Sequence, residues 1–230
     1  MNKKNYLIEI SNLSKNFILN NKESIEIIKN LNLKVKQNSK ICITGPSGSG
    51  KTTILNIIGL LDKKYSGNYL YNNRDVSLYS DSEANKLRGS SISFIHQFFH
   101  LIPELNVIEN VMLPLLINNN VKNVIEKSRR ILVEFGLEDR LYFKPLKLSG
   151  GEQQRVAIAR SVVTNPDIIL ADEMTGNLDE NTANNIFNFF IKYIEQNKKT
   201  LVYVTHNKKF SLFADEIYNF DNKCLFLTNE

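Results

Sequence analysis

A short segment near the amino terminus combines glycines, a lysine and hydroxyl groups at a spacing that suits nucleotide phosphates. It reads GPSGSGKT over residues 45–52 and follows an apolar run over 40–44. Glycines let the backbone wrap phosphate oxygens, Lys51 can reach the β and γ oxygens, and the Thr52 hydroxyl suits magnesium. The pattern predicts a triphosphate-binding loop between a strand and a helix. Its candidate residues are Gly45, Pro46, Ser47, Gly48, Ser49, Gly50, Lys51, Thr52 and Thr53.

A second glycine-rich segment, LSGGEQQR over residues 148–155, has the properties of an anion site but contains no lysine. Ser149, Gly150 and Gly151 precede a run that favours a helix over 152–159. Backbone N–H groups and the positive end of such a helix attract an anion. Because the chain already contains a complete phosphate loop, this second site must serve another ligand or the nucleotide of another molecule.

Two adjacent carboxylates, Asp172 and Glu173, follow the apolar run over residues 168–171. If that run is a buried parallel strand, both acids emerge at its carboxyl end, where α/β proteins place their ligands. Asp172 would then face magnesium, and Glu173 would lie where a water could attack the γ-phosphate. Two acids after an apolar run are common in proteins, so the glycine-rich segment upstream is what favours a catalytic role.

The elements that must position these groups alternate between strands and helices, which predicts an α/β fold with a parallel sheet. Strands are predicted over 6–10, 31–35, 40–44, 65–71, 92–95, 167–171 and 200–205, and helices over 52–61, 124–135 and 182–196. The first strands indicate a small β lobe, and a helical pattern punctuated by prolines indicates an inserted helical lobe. We expect one domain over residues 1–230 with a helical subdomain over about 98–154.

Composition excludes several classes of protein. With 230 residues, of which 42% are hydrophobic, the chain can fill a sizeable core. Its two cysteines make neither a disulfide framework nor a metal cluster, and a reducing compartment suits them. Residues 1–10 lack the apolar stretch of a signal peptide, and no run approaches the roughly 18 apolar residues of a membrane span. The net charge of +5 is scattered among acidic residues, so nucleic acid or anionic lipid is possible but neither is demanded, and we expect no nucleic-acid partner.

In this order the motifs resemble those of the ATP-binding-cassette (ABC) ATPases, and the likeness extends from Phe17 to beyond His206. The resemblance implies an ABC nucleotide-binding domain, that is, a P-loop NTPase core with an amino-terminal antiparallel β lobe and an inserted helical subdomain. By the same resemblance, Phe17 would stack on adenine and His206 would bind the γ-phosphate. Gln97 would contact the metal and the attacking water, and Asp179 would lie beside the site of a partner subunit.

ABC ATPases bind ATP with Mg2+ and pair head to tail. The resemblance therefore implies that the ATP of one chain is also held by Ser149, Gly150 and Gly151 of a second copy. It further implies integral membrane subunits that receive the movement of the helical lobe, and a peripheral location on the cytoplasmic face of the inner membrane.

Two segments, residues 98–115 and 174–179, resemble the branch of the family that serves lipoprotein release, macrolide export and cell division. Lipoprotein release is the nearest likeness, and ATP hydrolysis would then power the release of lipid-anchored proteins through membrane partners. A macrolide or peptide exporter, and a division protein that signals without moving a substrate, stay open as alternatives because all three share the catalytic residues.

Three positions depart from the family pattern. Met174 replaces a proline, Asn38 stands in a turn that usually has glycine, and Asn207 replaces an aspartate. None of them changes a group assigned to phosphate, metal or water, so we expect activity to survive. His96 and His100 match no family position and are interpreted as ordinary residues of the lobe.

Overall fold

The computed structural model describes residues 6–18, 23–118 and 122–228 of the chain. The prediction that residues 1–10 contain no signal peptide falls partly outside the described residues, because these begin at residue 6. The chain forms two compact units: the first comprises Met1–Ala84 with Lys198–Glu230, and the second comprises Asn85–Asn197.

The described elements, in chain order, are β1 (Tyr6–Ile18), β2 (Ser24–Lys36), β3 (Lys40–Thr44), α1 (Lys51–Ile58), β4 (Ser66–Tyr71), β5 (Arg74–Asp75), α2 (Asp81–Ser90), β6 (Ile92–Ile95), α3 (Val107–Ile117), α4 (Val124–Glu134), α5 (Gly150–Val162), β7 (Ile168–Asp172), α6 (Glu180–Gln196), β8 (Thr200–Val204), α7 (Lys208–Ser211), β9 (Glu216–Asp221) and β10 (Cys224–Leu227). Short 3-10 helices cover Val76–Leu78, Glu138–Arg140 and Pro145–Lys147.

An antiparallel sheet in the first unit has the strand order β2-β1-β4-β5. Apolar side chains on one face of β1 and β2, such as Ile8, Leu31 and Leu33, are buried and alternate with more exposed residues. Both strands run further than predicted. Asn12 and Asn30 adopt left-handed conformations next to register shifts, so pairing continues past the point where the apolar alternation breaks.

The first unit also contains a mixed group of strands in the order β10-β9-β3-β8. Strand β3 pairs in parallel with both β8 and β9, and β10 returns antiparallel to β9. Strands β9 and β10 are not evident from the sequence pattern. Their connecting residues Asn222 and Lys223 are both left-handed, yet they lack the glycine that usually signals such a turn.

Helix α1 begins directly after Gly50 and ends at Ile58, earlier than the end at residue 61 predicted from the sequence. The N–H of Gly59 donates to the carbonyl of Leu55 at 2.8 Å, and Leu60 is left-handed with φ 60°. A left-handed residue at this point ends a helix by turning the chain away from its axis.

The second unit contains the parallel pair β6 and β7 together with α3, α4, α5 and α6. Side-chain caps begin three of these helices, at Asn106, Ser149 and Asp179. Helix α4 agrees with the helix predicted over 124–135. The sequence pattern does not indicate α2, because that helix is polar and buries Ala84 alone.

Candidate functional site

The phosphate loop connects β3 to α1, and glycine conformations determine its shape. Gly45 and Gly48 have φ values of 144° and 73°, in the range that L residues rarely adopt. A Cβ atom on Gly45 would also lie 2.2 Å from the carbonyl oxygen of Phe220 in β9, whereas one on Gly48 would meet nothing within 4 Å. The first glycine is therefore required by a neighbouring strand as well as by its own backbone.

Lys51 begins α1 and directs its ammonium back over the loop. Its Nζ atom donates to the carbonyl oxygens of Gly45 at 2.9 Å and Pro46 at 2.6 Å. No side chain caps α1 at Gly50, and the first N–H groups of a helix have no acceptor within it. The loop thus combines a cation with the positive end of a helix, which is an arrangement that binds phosphate.

His206 follows β8, the parallel neighbour of β3 in the first unit. The carboxyl ends of parallel strands meet at one edge of a sheet, so His206 shares an edge with the phosphate loop. Its side chain is exposed. Asn207 accepts a hydrogen bond from the N–H of Lys209 at 2.9 Å and caps α7, so this departure from aspartate keeps a capping oxygen.

Two other residues singled out from the sequence also lie in the first unit. Phe17 lies near the end of β1 and is 45% exposed. Asn38 has a φ of 61°, as predicted for its turn, and its N–H donates to the hydroxyl of Thr200 at 3.0 Å. The left-handed turn therefore forms without glycine.

In the second unit, Gln97 and the two carboxylates follow neighbouring strands. Strands β6 and β7 pair in parallel with Ile95 opposite Ala171, so Gln97, Asp172 and Glu173 emerge at the same edge. Glu173 has a φ of 42°. Left-handed backbone at a residue other than glycine is strained, and such strain is concentrated at functional sites.

The turn after Glu173 packs against Gln97. The N–H of Gly176 donates to the carbonyl of Glu173 at 2.9 Å, and a Cβ on Gly176 would lie 3.1 Å from the Gln97 amide nitrogen. The Asn177 amide donates to the Gln97 carbonyl oxygen at 2.9 Å. Gly176 and Asn177 therefore position the glutamine, a role that the sequence analysis of residues 174–179 did not predict.

Arg160 is a further positioning residue that the sequence interpretation missed. Its guanidinium donates to the carbonyl oxygens of Phe99 at 2.8 Å and His100 at 2.7 Å, which ties the segment after Gln97 to α5. The rings of His96 and His100 lie 5.2 Å apart, and burial together with this neighbour lowers the pKa of His96. The only sequence signal for Arg160 is its place on the same helix as the second glycine-rich segment.

The second glycine-rich segment begins α5 with a capping box. The Ser149 hydroxyl accepts the N–H of Glu152 at 3.3 Å, and the Glu152 carboxylate accepts the N–H of Ser149 at 2.9 Å. That N–H, with the Arg140 guanidinium at 2.9 Å, lowers the pKa of Glu152. While its oxygen accepts this hydrogen bond, the Ser149 hydroxyl can still donate its hydrogen to an anion.

The second glycine-rich segment packs closely against the residues around Asp179, which explains why position 151 is a glycine. A Cβ on Gly151 would lie 2.7 Å from a methyl of Thr182, and one on Gly150 would lie 3.3 Å from Leu178. Asp179 caps α6 by accepting the N–H of Thr182 at 3.0 Å. The structure therefore brings the second glycine-rich segment and the residues next to Asp179 together within the second unit.

The candidate magnesium ligands all carry hard oxygen donors. Thr52 offers a hydroxyl, Gln97 an amide oxygen and Asp172 a carboxylate, which are the donor types that Mg2+ prefers. Within the described residues, no group of three or more His, Cys, Asp and Glu side chains could hold a metal ion. A metal bound by few protein groups and by substrate phosphates fits this donor set.

A family model described as ABC transporter matches residues 28–176, which include the phosphate loop, Gln97, the second glycine-rich segment and both carboxylates. The chain belongs to the ABC transporter family. As a member of that family it is an ATPase that binds nucleotide, and the predicted α/β nucleotide-binding fold is confirmed.

Two relatives make the assignment more specific. The lipoprotein-releasing system ATP-binding protein LolD of Syntrophus aciditrophicus is 42% identical over 203 residues, which cover 88% of this chain and 91% of the relative. LolD of Rickettsia bellii is 41% identical over 222 residues, which cover 96% and 98% of the two chains. The predicted likeness of this ABC ATPase to subunits of the LolD type is confirmed.

A solved structure shows the same fold in a nucleotide-bound state. The dimeric structure of the ATP-binding cassette MJ0796, described as a post-hydrolysis state bound to ADP and Pi, superposes on this ABC ATPase with a TM-score of 0.86 at 37% sequence identity. The match covers 97% of this chain and 99% of MJ0796.

Among the residues that the structure describes, no helix combines the length and apolar character needed to cross a membrane.

Proposed function

We propose that this chain is the ATP-hydrolysing subunit of a lipoprotein-releasing transporter, bound peripherally to membrane subunits on the cytoplasmic face of the inner membrane. The observation that carries the proposal is the similarity to LolD, which runs almost from end to end of both chains. The retained phosphate loop, carboxylates and serine-glycine segment supply the chemistry that such a subunit needs. In this proposal residues 98–154 act as the helical subdomain that meets the membrane subunits.

The roles of the nucleotide-contacting residues follow from their chemistry. Lys51 and the loop from Gly45 to Thr53 bind the phosphates, and Phe17 stacks on adenine. Thr52, Gln97 and Asp172 would hold Mg2+, which would neutralise charge on the nucleotide phosphates. Glu173 accepts a proton from the attacking water, with Gln97 orienting the water and His206 donating to the γ-phosphate.

Glu173→Gln tests the catalytic assignment. An amide cannot accept the proton, so ATP should still bind while kcat falls at least about 100-fold. Asp167→Asn is a matched control, because Asp167 directly precedes β7, the strand that ends at Asp172, and is exposed. Near-normal turnover of Glu173→Gln would remove Glu173 from this role.

A second copy of the chain is proposed to complete each ATP site through Ser149, Gly150, Gly151 and Asp179. The capping geometry supports this role, because the Ser149 hydrogen can be donated to phosphate while the oxygen caps α5. Ser149→Arg should leave ATP binding by the monomer intact but prevent ATP-dependent dimer formation in the Glu173→Gln background.

The control for that experiment is Ser80→Arg. Ser80 forms a comparable capping box with Glu83, with hydrogen bonds of 2.8 Å and 3.2 Å. This change therefore removes a similar cap and adds the same charge elsewhere. If Ser149→Arg formed the ATP-dependent dimer as Ser80→Arg does in the same Glu173→Gln background, the site would not be completed by a second copy.

The membrane subunits are proposed to dock on a cavity of about 630 Å³ within the second unit. Apolar side chains, among them Phe94, Leu113 and Ile117, line it beside the guanidinium group of Arg160. Ile117 and its neighbour Leu116 are 74% and 51% exposed, and adjoining exposed apolar residues mark an interaction surface. Arg160 in the cavity lining also donates to the carbonyls of Phe99 and His100, in the segment that follows Gln97, so a bound subunit would be linked to that segment.

Purification of the native complex from its membrane tests this assignment. Ile117→Glu should abolish recovery of the membrane subunits, whereas Ile125→Glu on α4, which is 64% exposed, should not. Recovery of subunits that release lipoproteins in proteoliposomes is the expected result. Recovery of an exporter or of a division-type membrane protein instead would overturn the lipoprotein assignment while leaving the ATPase intact.

A further inference from the structure

Lys15 is a buried lysine next to the ring proposed to stack on adenine. Only 3% of the residue is exposed, although it lies in β1 two positions before the exposed Phe17. Its Nζ atom is 2.6 Å from one carboxylate oxygen of Asp62 and 2.8 Å from the other, and it donates to the carbonyl of Lys64 at 2.6 Å. A buried charge is costly, and these three contacts offset the cost.

The same ammonium lies 4.8 Å from the centroid of the Phe17 ring. At this distance the positive charge is attracted to the ring face. The contact fixes the ring from one side, while 45% of Phe17 stays exposed. An exposed aromatic side chain near the end of a strand would otherwise sample several rotamers.

The anchor of Lys15 comes from the segment that leaves the phosphate-loop helix. Asp62 follows α1 closely, and it also accepts the N–H of Lys64 at 2.9 Å, which holds its carboxylate in place. One chain of contacts therefore runs from the segment after α1 through the Lys15 ammonium to the Phe17 ring. Each of its members lies within the first unit.

We propose that Lys15 is a positioning residue for the purine base, holding the Phe17 ring in one orientation relative to the phosphate loop so that its free face receives adenine. The inference rests on the proposed role of Phe17 in binding ATP. Lys15 itself touches no nucleotide. Its contribution is preorganisation: a ring already held in the bound orientation loses less conformational freedom when the base stacks on it.

The test compares two ligands that share the phosphates but not the base. Lys15→Met keeps the apolar stem and removes the charge. It should weaken binding of the non-hydrolysable analogue AMP-PNP about fivefold, because a cation–π contact that favours one ring orientation by roughly a factor of three to thirty is lost and the ring must be ordered on binding. Binding of inorganic tripolyphosphate with Mg2+, which has no base, should change less than about twofold.

Lys34→Met is the matched control. Lys34 lies in β2 of the same sheet, its Nζ is 5.2 Å from the ring centroid of Tyr6 and 3.5 Å from a carboxylate oxygen of Glu9, and it is well exposed. This change removes the same kinds of contact at a ring with no proposed role, so neither ligand should bind differently.

A double-mutant cycle with Phe17→Ala separates the inference from the proposed function. Once the ring is absent, Lys15→Met should have no further effect on AMP-PNP. If Phe17→Ala itself leaves AMP-PNP binding unchanged, the adenine role of Phe17 fails. If Phe17→Ala weakens binding but Lys15→Met does not, or if Lys15→Met weakens both ligands equally, the positioning role fails alone.

Asp62→Asn provides a second variant in case Lys15→Met does not fold. It keeps the ammonium and the ring but weakens the anchor, so it should reproduce the selective loss for AMP-PNP at a smaller magnitude. An equal loss of tripolyphosphate binding in Asp62→Asn would also overturn the positioning role.

Discussion

Alanine at Gly45 should destabilise the protein far more than alanine at Gly48, although both glycines belong to the same phosphate loop. Both have left-handed φ values, so each substitution strains the backbone. At Gly45, however, the added Cβ would lie 2.2 Å from the Phe220 carbonyl oxygen, which belongs to β9. That carbonyl cannot rotate away as a side chain would, because β9 is held by the parallel pairing of Thr44 with Asn219.

The magnitudes follow from these two geometries. Gly48→Ala meets open space, so its cost is the backbone term alone, about 1–2 kcal/mol. Gly45→Ala carries a similar backbone cost and must in addition displace β9. Overpacking of this kind costs a further 1–3 kcal/mol or more, so the total is about 4 kcal/mol. A loss of that size is a large part of the stability of a typical domain.

Equilibrium unfolding in urea without nucleotide measures both variants. The midpoint for Gly45→Ala should fall by about 2 M, and that for Gly48→Ala by about 0.5–1 M. The absence of nucleotide matters, because a ligand that binds the folded state alone would mask the difference. Equal losses at the two positions, or a larger loss at Gly48, would refute the argument that β9 restricts this loop.

Three further changes test other features of the structure. Ser149→Ala should lower the free energy of unfolding by about 1 kcal/mol because α5 loses its cap, whereas Ser149→Asn should keep most of that stability; thermal unfolding compares them. Glu152 has a pKa lowered below its usual 4.5, so its contribution to stability is present above that pH and is lost as the pH falls through the folded pKa. Glu152→Gln should therefore flatten the acid side of a profile of melting temperature against pH, and an unchanged profile would contradict the assignment. Asn38→Ala should cost about 1 kcal/mol in urea unfolding because φ is 61°, whereas Asn38→Gly should be close to neutral.

Much of the fold could be predicted because its buried parallel strands are continuous apolar runs. The runs predicted as strands over 40–44, 92–95 and 167–171 coincide closely with β3, β6 and β7. The β9-β10 hairpin could not be predicted, because its turn uses Asn222 and Lys223 in conformations that the sequence does not signal. Helix α2 could not be predicted for another reason, because a polar helix has no apolar periodicity.

In the candidate site, too, some residues could be predicted from the sequence and others could not. Residues in local motifs, such as Lys51 and Ser149, were identified because loops and helix starts bind anions through groups that are adjacent in the chain. The sequence does not predict a role for Arg160 or Lys15, because an arginine in a helix and a lysine in a strand are usually solvated. Their significance comes from partners distant in sequence, namely the carbonyls of Phe99 and His100 and the carboxylate of Asp62.

The sequence by itself determined the family, the nucleotide chemistry and the start of each principal motif, because these depend on residue types at fixed short spacings. Only the tertiary structure decided that β9 restricts Gly45 while Gly48 faces open space, and that a buried lysine holds the Phe17 ring. The physical reason is that steric exclusion and buried charge pairing act over a few ångströms between residues far apart in the chain. Folding alone brings such residues within reach.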